Sequence, residues 1–135
     1  MKEALGKRWV LTTGILILIL GLIHIGATPI VYKMGFNGLQ DGYGKTFLYM
    51  YVSTGAAVVF AGLLTIYCSS GLGKMERESW MMATGAGIFM FLLGAGAVIT
   101  MPDNPFSYIT LIISLVDVVP LLMFRNKYAG INNGY

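Results

Sequence analysis

Four long apolar runs constrain what this chain can fold into: about Trp9 to Val31, Phe47 to Cys68, Trp80 to Thr100 and Phe106 to Phe124. Each is near the length that crosses a hydrocarbon layer of about 30 Å at about 1.5 Å per residue. None alternates apolar and polar residues with period two, so the runs predict helices and not transmembrane strands. The expected fold class is all-α: a polytopic membrane protein with a single domain over residues 1–135, built as a bundle of four transmembrane helices with a polar tail at 125–135. Composition points the same way. Only 11% of residues are charged, against about 25% in an ordinary soluble domain.

The nine basic residues set the expected orientation. Lys2, Lys7 and Arg8 precede the first run, Lys74 and Arg77 separate the second from the third, and Arg125 and Lys127 follow the fourth, while only Lys33 and Lys45 fall on the other side. By the positive-inside rule both termini are expected in the cytoplasm. Trp9 and Trp80 then lie at the inner interface, and Tyr32, Tyr49, Tyr51 and Tyr108 near the outer one. A basic start followed by an apolar run also describes a secretory signal. This run exceeds the 7–15 apolar residues typical of signals, however, and Ile25 is not the small residue preferred before a cut after Ala27, so a retained helix is expected.

The connections read as turns. "KMGFNGLQDGYGKT" (33–46) carries Asn37-Gly38 and Asp41-Gly42 pairs and is expected to be an extracytoplasmic connector. In "SSGLGKMERES" (69–79), Ser79 or the acids before it are candidates to cap the third helix, and Glu76 and Glu78 suit its dipole. Pro102, Asp103, Asn104 and Pro105 make "MPDNP" a tight hairpin.

Small residues mark helix faces. Gly14, Gly21 and Thr28 recur every seven residues, and His24, the sole histidine, shares their face. Ala83, Gly87 and Gly94 form a similar seam in the third run, and Ala57 and Ala61 a small step in the second. Small residues at this spacing let membrane helices approach closely, so His24 is expected to face a helix and not lipid.

Asp117 is the other exceptional residue. With Thr110 and Ser114 it forms a polar stripe on the fourth run. A charge at the bilayer centre costs at least about 2.5–3.5 kcal/mol, so Asp117 should face the bundle and find a donor, or be protonated. Pro120, three residues on, leaves a carbonyl one turn earlier without its usual partner. His24 and Asp117 are expected to lie very roughly 8–10 Å apart in depth, by residue counting at about 1.5 Å each, and so to line one interior without touching. Each has two readings: a polar tie to a neighbouring helix, or a working group that binds a ligand or relays protons.

Several chemistries have no residues to carry them. One histidine and one cysteine make no zinc site, and a haem held by two histidines needs a second chain. Cys68 is alone, so dithiol chemistry within one chain is excluded. There is no nucleotide loop, no HExxH and no nucleophile triad, hence no catalytic motif, and no cofactor or metal is expected. The net charge of +3 reads as topology and as a surface for anionic lipid, not as a nucleic-acid footprint.

The chain is similar in size to the small multidrug transporters but has His24 where their first span carries a glutamate, and its loop charges are unbalanced. The runs also lack the intramembrane arginines and glutamate of the glutathione-using eicosanoid-synthesis family. In general outline the chain resembles small four-helix membrane proteins of bacteria and archaea, which implies a prokaryotic plasma membrane. The expected partners are the lipid bilayer and other membrane helices. Two functions follow as expectations. One is a bundle acting through helix contacts, as a homo-oligomer or as an accessory subunit of a membrane complex. The alternative is a binder or transporter of a lipophilic or protonatable ligand, using His24, Asp117, Ser114, Thr110 and Thr28.

Overall fold

The computed structural model describes residues 2–36, 39, 42–123 and 125–128. The chain is all-α: α1 Lys2–Gly26, α2 Thr28–Val31, a π-helical turn Tyr32–Phe36, α3 Tyr43–Leu72, α4 Arg77–Thr100, α5 Pro105–Met123 and α6 Arg125–Tyr128. Four of these helices contain segments long and apolar enough to cross a membrane: Gly6–Gly26, Tyr43–Leu72, Arg77–Thr100 and Pro105–Met123.

The first apolar run is not one helix. α1 stops at Gly26, and α2 restarts around Pro29, which sits in its first turn. Proline has no N–H and its ring crowds the preceding turn, so the ladder breaks just before it. The polar connector is shorter than expected, because α3 begins at Tyr43. Gly42 precedes it at φ 104°, a left-handed conformation that favours glycine. Asn37, Gly38 and Asp41 lie outside the described residues, as does most of the tail.

The remaining joints follow from local chemistry. α3 ends in a Schellman motif: the Glu76 N–H donates to the Gly71 carbonyl at 3.0 Å and the Met75 N–H to the Leu72 carbonyl at 3.2 Å. Met75 occupies the left-handed position, φ 61°, where glycine is usual. Glu76 is the N-cap of α4, and the Ser79 hydroxyl donates to its Oε2 at 3.1 Å. Before α5, Asn104 Oδ1 accepts the Phe106 N–H at 3.1 Å, and Pro105 opens the helix where its missing N–H costs nothing.

The helices run up, down, up and down. Gly14 meets Ile66 and Gly21 meets Val59, while Gly62 meets Leu18 and Gly55 meets Ile25, so α1 and α3 pack antiparallel with glycines on both sides. A Cβ added at Gly21 would lie 2.7 Å from the Val59 nitrogen, and one at Gly62 2.5 Å from the Leu18 nitrogen. Only residues without a Cβ allow backbones this close. On the other side Gly87 meets Val118 and Gly94 meets Leu111, joining α4 to α5. Two apolar clusters fill the interior. Val10, Cys68, Leu72, Ala83 and Leu121 pack at one end, and Ile17, Val58, Ala61 and Met90 lie nearer the middle. The outward faces carry large apolar side chains such as Leu22, Phe60, Leu92 and Ile112, which suits a hydrocarbon surround and not water.

Candidate functional site

Asp117 is fully buried, with 0% exposure. The Thr13 hydroxyl of α1 donates to its Oδ1 and also stands 3.1 Å from the Val10 carbonyl oxygen of its own helix. Across from Thr13, a Cβ at Gly87 of α4 would lie 3.0 Å from Asp117 Oδ2. The carboxyl group is thus wedged between α1 and α4, and the missing side chain at Gly87 makes room for it. Oδ2 has no hydrogen-bond partner, and neither does the buried Thr84 hydroxyl, one turn before Gly87 on the same helix.

Pro120 governs the next feature. The Val116 carbonyl would accept the N–H of residue 120 in an unbroken helix, and proline has none. The Trp9 indole N–H donates to that carbonyl at 2.9 Å. Near the end of α5, where carbonyls run out of helical donors, the Trp80 indole N–H donates to the Leu121 carbonyl at 2.8 Å. Two tryptophans, one from α1 and one from α4, therefore hold the proline-containing half of α5 from either side. Beside Trp9 a groove of about 240 Å³ opens between α1 and α5, lined by Arg8, Trp9, Thr12, Thr13, Leu16 and Val116.

His24 belongs to a different place. Its Nε2 donates to the Tyr51 carbonyl of α3 at 3.1 Å, and its ring stacks on that of Tyr51 with centroids 3.9 Å apart and planes 19° from parallel. His24 is half-buried. Thr13 and His24 are eleven residues apart on one helix, so Asp117 and His24 are separated by about 16 Å along α1, more than the 8–10 Å counted from sequence. α5 ends six residues beyond Asp117, at Met123, and the carboxyl group meets α1 at Thr13, as many residues from Lys2 at the helix start as from His24.

The other candidates divide similarly. Ser114 is fully buried, and its hydroxyl donates to the Leu111 carbonyl at 2.8 Å; Thr110 donates to Phe106 at 2.8 Å. Both hydroxyls donate to carbonyls of their own helix, a local pattern open to serine and threonine. They share the α5 face of Asp117 but do not bridge it to His24. The Thr28 hydroxyl is buried without a partner, in α2 beyond His24. Gly14, Gly21, Ala83, Gly87 and Gly94 all face the interior.

Sequence reasoning missed Thr13, Trp9, Trp80, Tyr51 and Thr84. Trp9 and Trp80 read only as interface anchors, although the carbonyl freed by Pro120 called for a donor. No protein-family model, curated protein or solved structure matches the chain. The functional reading therefore rests on the residues themselves.

Proposed function

We propose that this chain is an integral membrane four-helix bundle, with both termini cytoplasmic, that acts by helix contact in the membrane plane as a homo-oligomer or as an accessory subunit. The orientation rests on the seven-to-two distribution of basic residues. The contact reading rests on one observation about α4. Gly85 and Gly96 are exposed, and a Cβ added at either would meet nothing within 4 Å. They lie eleven residues apart, just over three turns, so they share one outward face with Phe89 and Leu92, which are also exposed. The inward Gly14, Gly21, Gly55, Gly62, Gly87 and Gly94 bring the bundle's own helices together. These two are free to do the same with another chain.

The polar groups support this reading over a shared pocket. His24 ties α1 to α3 and Asp117 ties α5 to α1, at separate levels, and each has a protein partner. The test is native mass spectrometry of the protein released from its own membrane in mild detergent, beside the double variant Gly85→Leu/Gly96→Leu. The expected result is a second polypeptide, a copy or another chain, at fixed ratio in the native protein and lost from the variant. A lone chain carrying a small molecule of fixed mass would overturn the proposal in favour of ligand binding.

A further inference from the structure

The geometry points to the groove between α1 and α5 as a binding site for one anionic phospholipid, with its phosphate on Arg8 and an acyl chain along Leu16 and Val116. The inference rests on the membrane reading above. Arg8 is exposed one residue before Trp9, at the head of the groove. An arginine fork matches a phosphate in two-pronged geometry. Below it, the lining turns apolar toward the hydrocarbon side, and its two hydroxyls are already engaged. Thr12 donates to the Arg8 carbonyl at 2.9 Å, and Thr13 serves Asp117. The Trp9 indole N–H is likewise committed to Val116. Among the described residues the guanidinium has no hydrogen-bond or ion-pair partner, so the groove offers a cation at its mouth and an apolar slot beneath.

Charge complementarity selects the occupant. Lys7 adjoins Arg8, and Lys74, Arg77 and Arg125 gather at the same end of the bundle, where the basic residues outnumber the acids Glu3, Glu76 and Glu78 even with Lys74 paired to Glu76, so the local field favours an anionic headgroup over a zwitterionic one. The groove is also open along one side, as it must be to admit a lipid from the bilayer. The occupant would brace the seam where the Trp9–Val116 and Thr13–Asp117 bonds cross.

The experiment places the full chain in nanodiscs of equal phosphatidylglycerol and phosphatidylcholine, strips lipid stepwise with detergent, and counts retained lipid by native mass spectrometry. Recovery from the membrane fraction is checked first, so that a failure of the membrane reading is seen separately. The expected result is about one phosphatidylglycerol per chain, retained about fivefold over phosphatidylcholine. Arg8→Gln brings the two lipids to parity, whereas Arg125→Gln, outside the groove, does not. Leu16→Trp, which fills the slot and leaves every charge in place, lowers retention of both. Equal retention of the two lipids by the native chain would overturn the assignment, as would phosphatidylglycerol held equally by Leu16→Trp.

Discussion

The indole nitrogen of Trp9 stands 2.9 Å from the carbonyl oxygen of Val116, the acceptor whose helical donor Pro120 removes. A residue at the start of the first long helix thus repairs a defect in the last, across 107 residues of sequence. In a membrane an unpaired carbonyl has no water to turn to. The pairing therefore closes the bundle where its first and last long helices meet.

Trp9→Phe keeps the ring and removes the donor, and is expected to destabilise the protein by about 0.5–1.5 kcal/mol, the range of interhelical hydrogen bonds in membranes. Pro120→Ala supplies Val116 with a backbone donor, so the cost of Trp9→Phe should shrink in that background. Reversible unfolding of the two single variants and the double variant measures the difference. Equal costs in both backgrounds would show that Trp9 acts through packing alone.

Thr13→Val leaves Asp117 with neither oxygen partnered and is expected to cost about 1–3 kcal/mol, while Thr13→Ser keeps the donor and costs less. Denaturant midpoints of the two variants in the same micelle rank them. If valine is tolerated as well as serine, the Thr13–Asp117 bond carries no weight.

Gly21→Ala and Gly62→Ala place a methyl group against backbone nitrogen across the α1–α3 seam, 2.7 and 2.5 Å away. Backbone cannot yield as a side chain does, so each substitution is expected to destabilise by about 1–3 kcal/mol. Gly26→Ala meets nothing within 4 Å and should be neutral or slightly stabilising through helix propensity. Melting temperatures of the three variants test the contrast.

Met75 adopts φ 61° at the end of α3, where a Cβ costs roughly 1–2 kcal/mol. Met75→Gly is expected to raise stability by about 1 kcal/mol, provided the side chain contributes little packing. A lower melting temperature would show that the methionine side chain contributes more than the strain it imposes.

The helices were legible because run length and hydropathy are local properties. The break near Gly26 was written in Pro29 but hidden by the continuity of the apolar run. Helix faces were also legible, since the periodicity of Gly14, Gly21 and His24 needs no neighbour to be read. What a face meets is not local. The glycine seams looked equally fit for a partner chain, and the structure uses them between α1 and α3 and between α4 and α5. The freed carbonyl before Pro120 could be read from the proline alone, whereas its donor depends on which helix lies alongside α5 and at what register. Thr13 was silent for the same reason: a threonine inside an apolar run gives no sign of the carboxylate that a distant helix will bring to it. Depth was misjudged because each run was centred on its own flanking residues, whereas Trp9, taken as the edge of the first run, reaches the Val116 carbonyl well inside the fourth.

The account's central claim is that His24 and Asp117 tie separate helix seams and do not form one polar site. The most direct measurement is a double-mutant cycle between His24→Ala and Asp117→Ala, read as unfolding free energies in one bilayer mimic. Groups about 16 Å apart along α1 with no shared partner should give additive losses, with a coupling within about 0.5 kcal/mol of zero. A coupling of about 1 kcal/mol or more would contradict the claim and join the two residues in a single network.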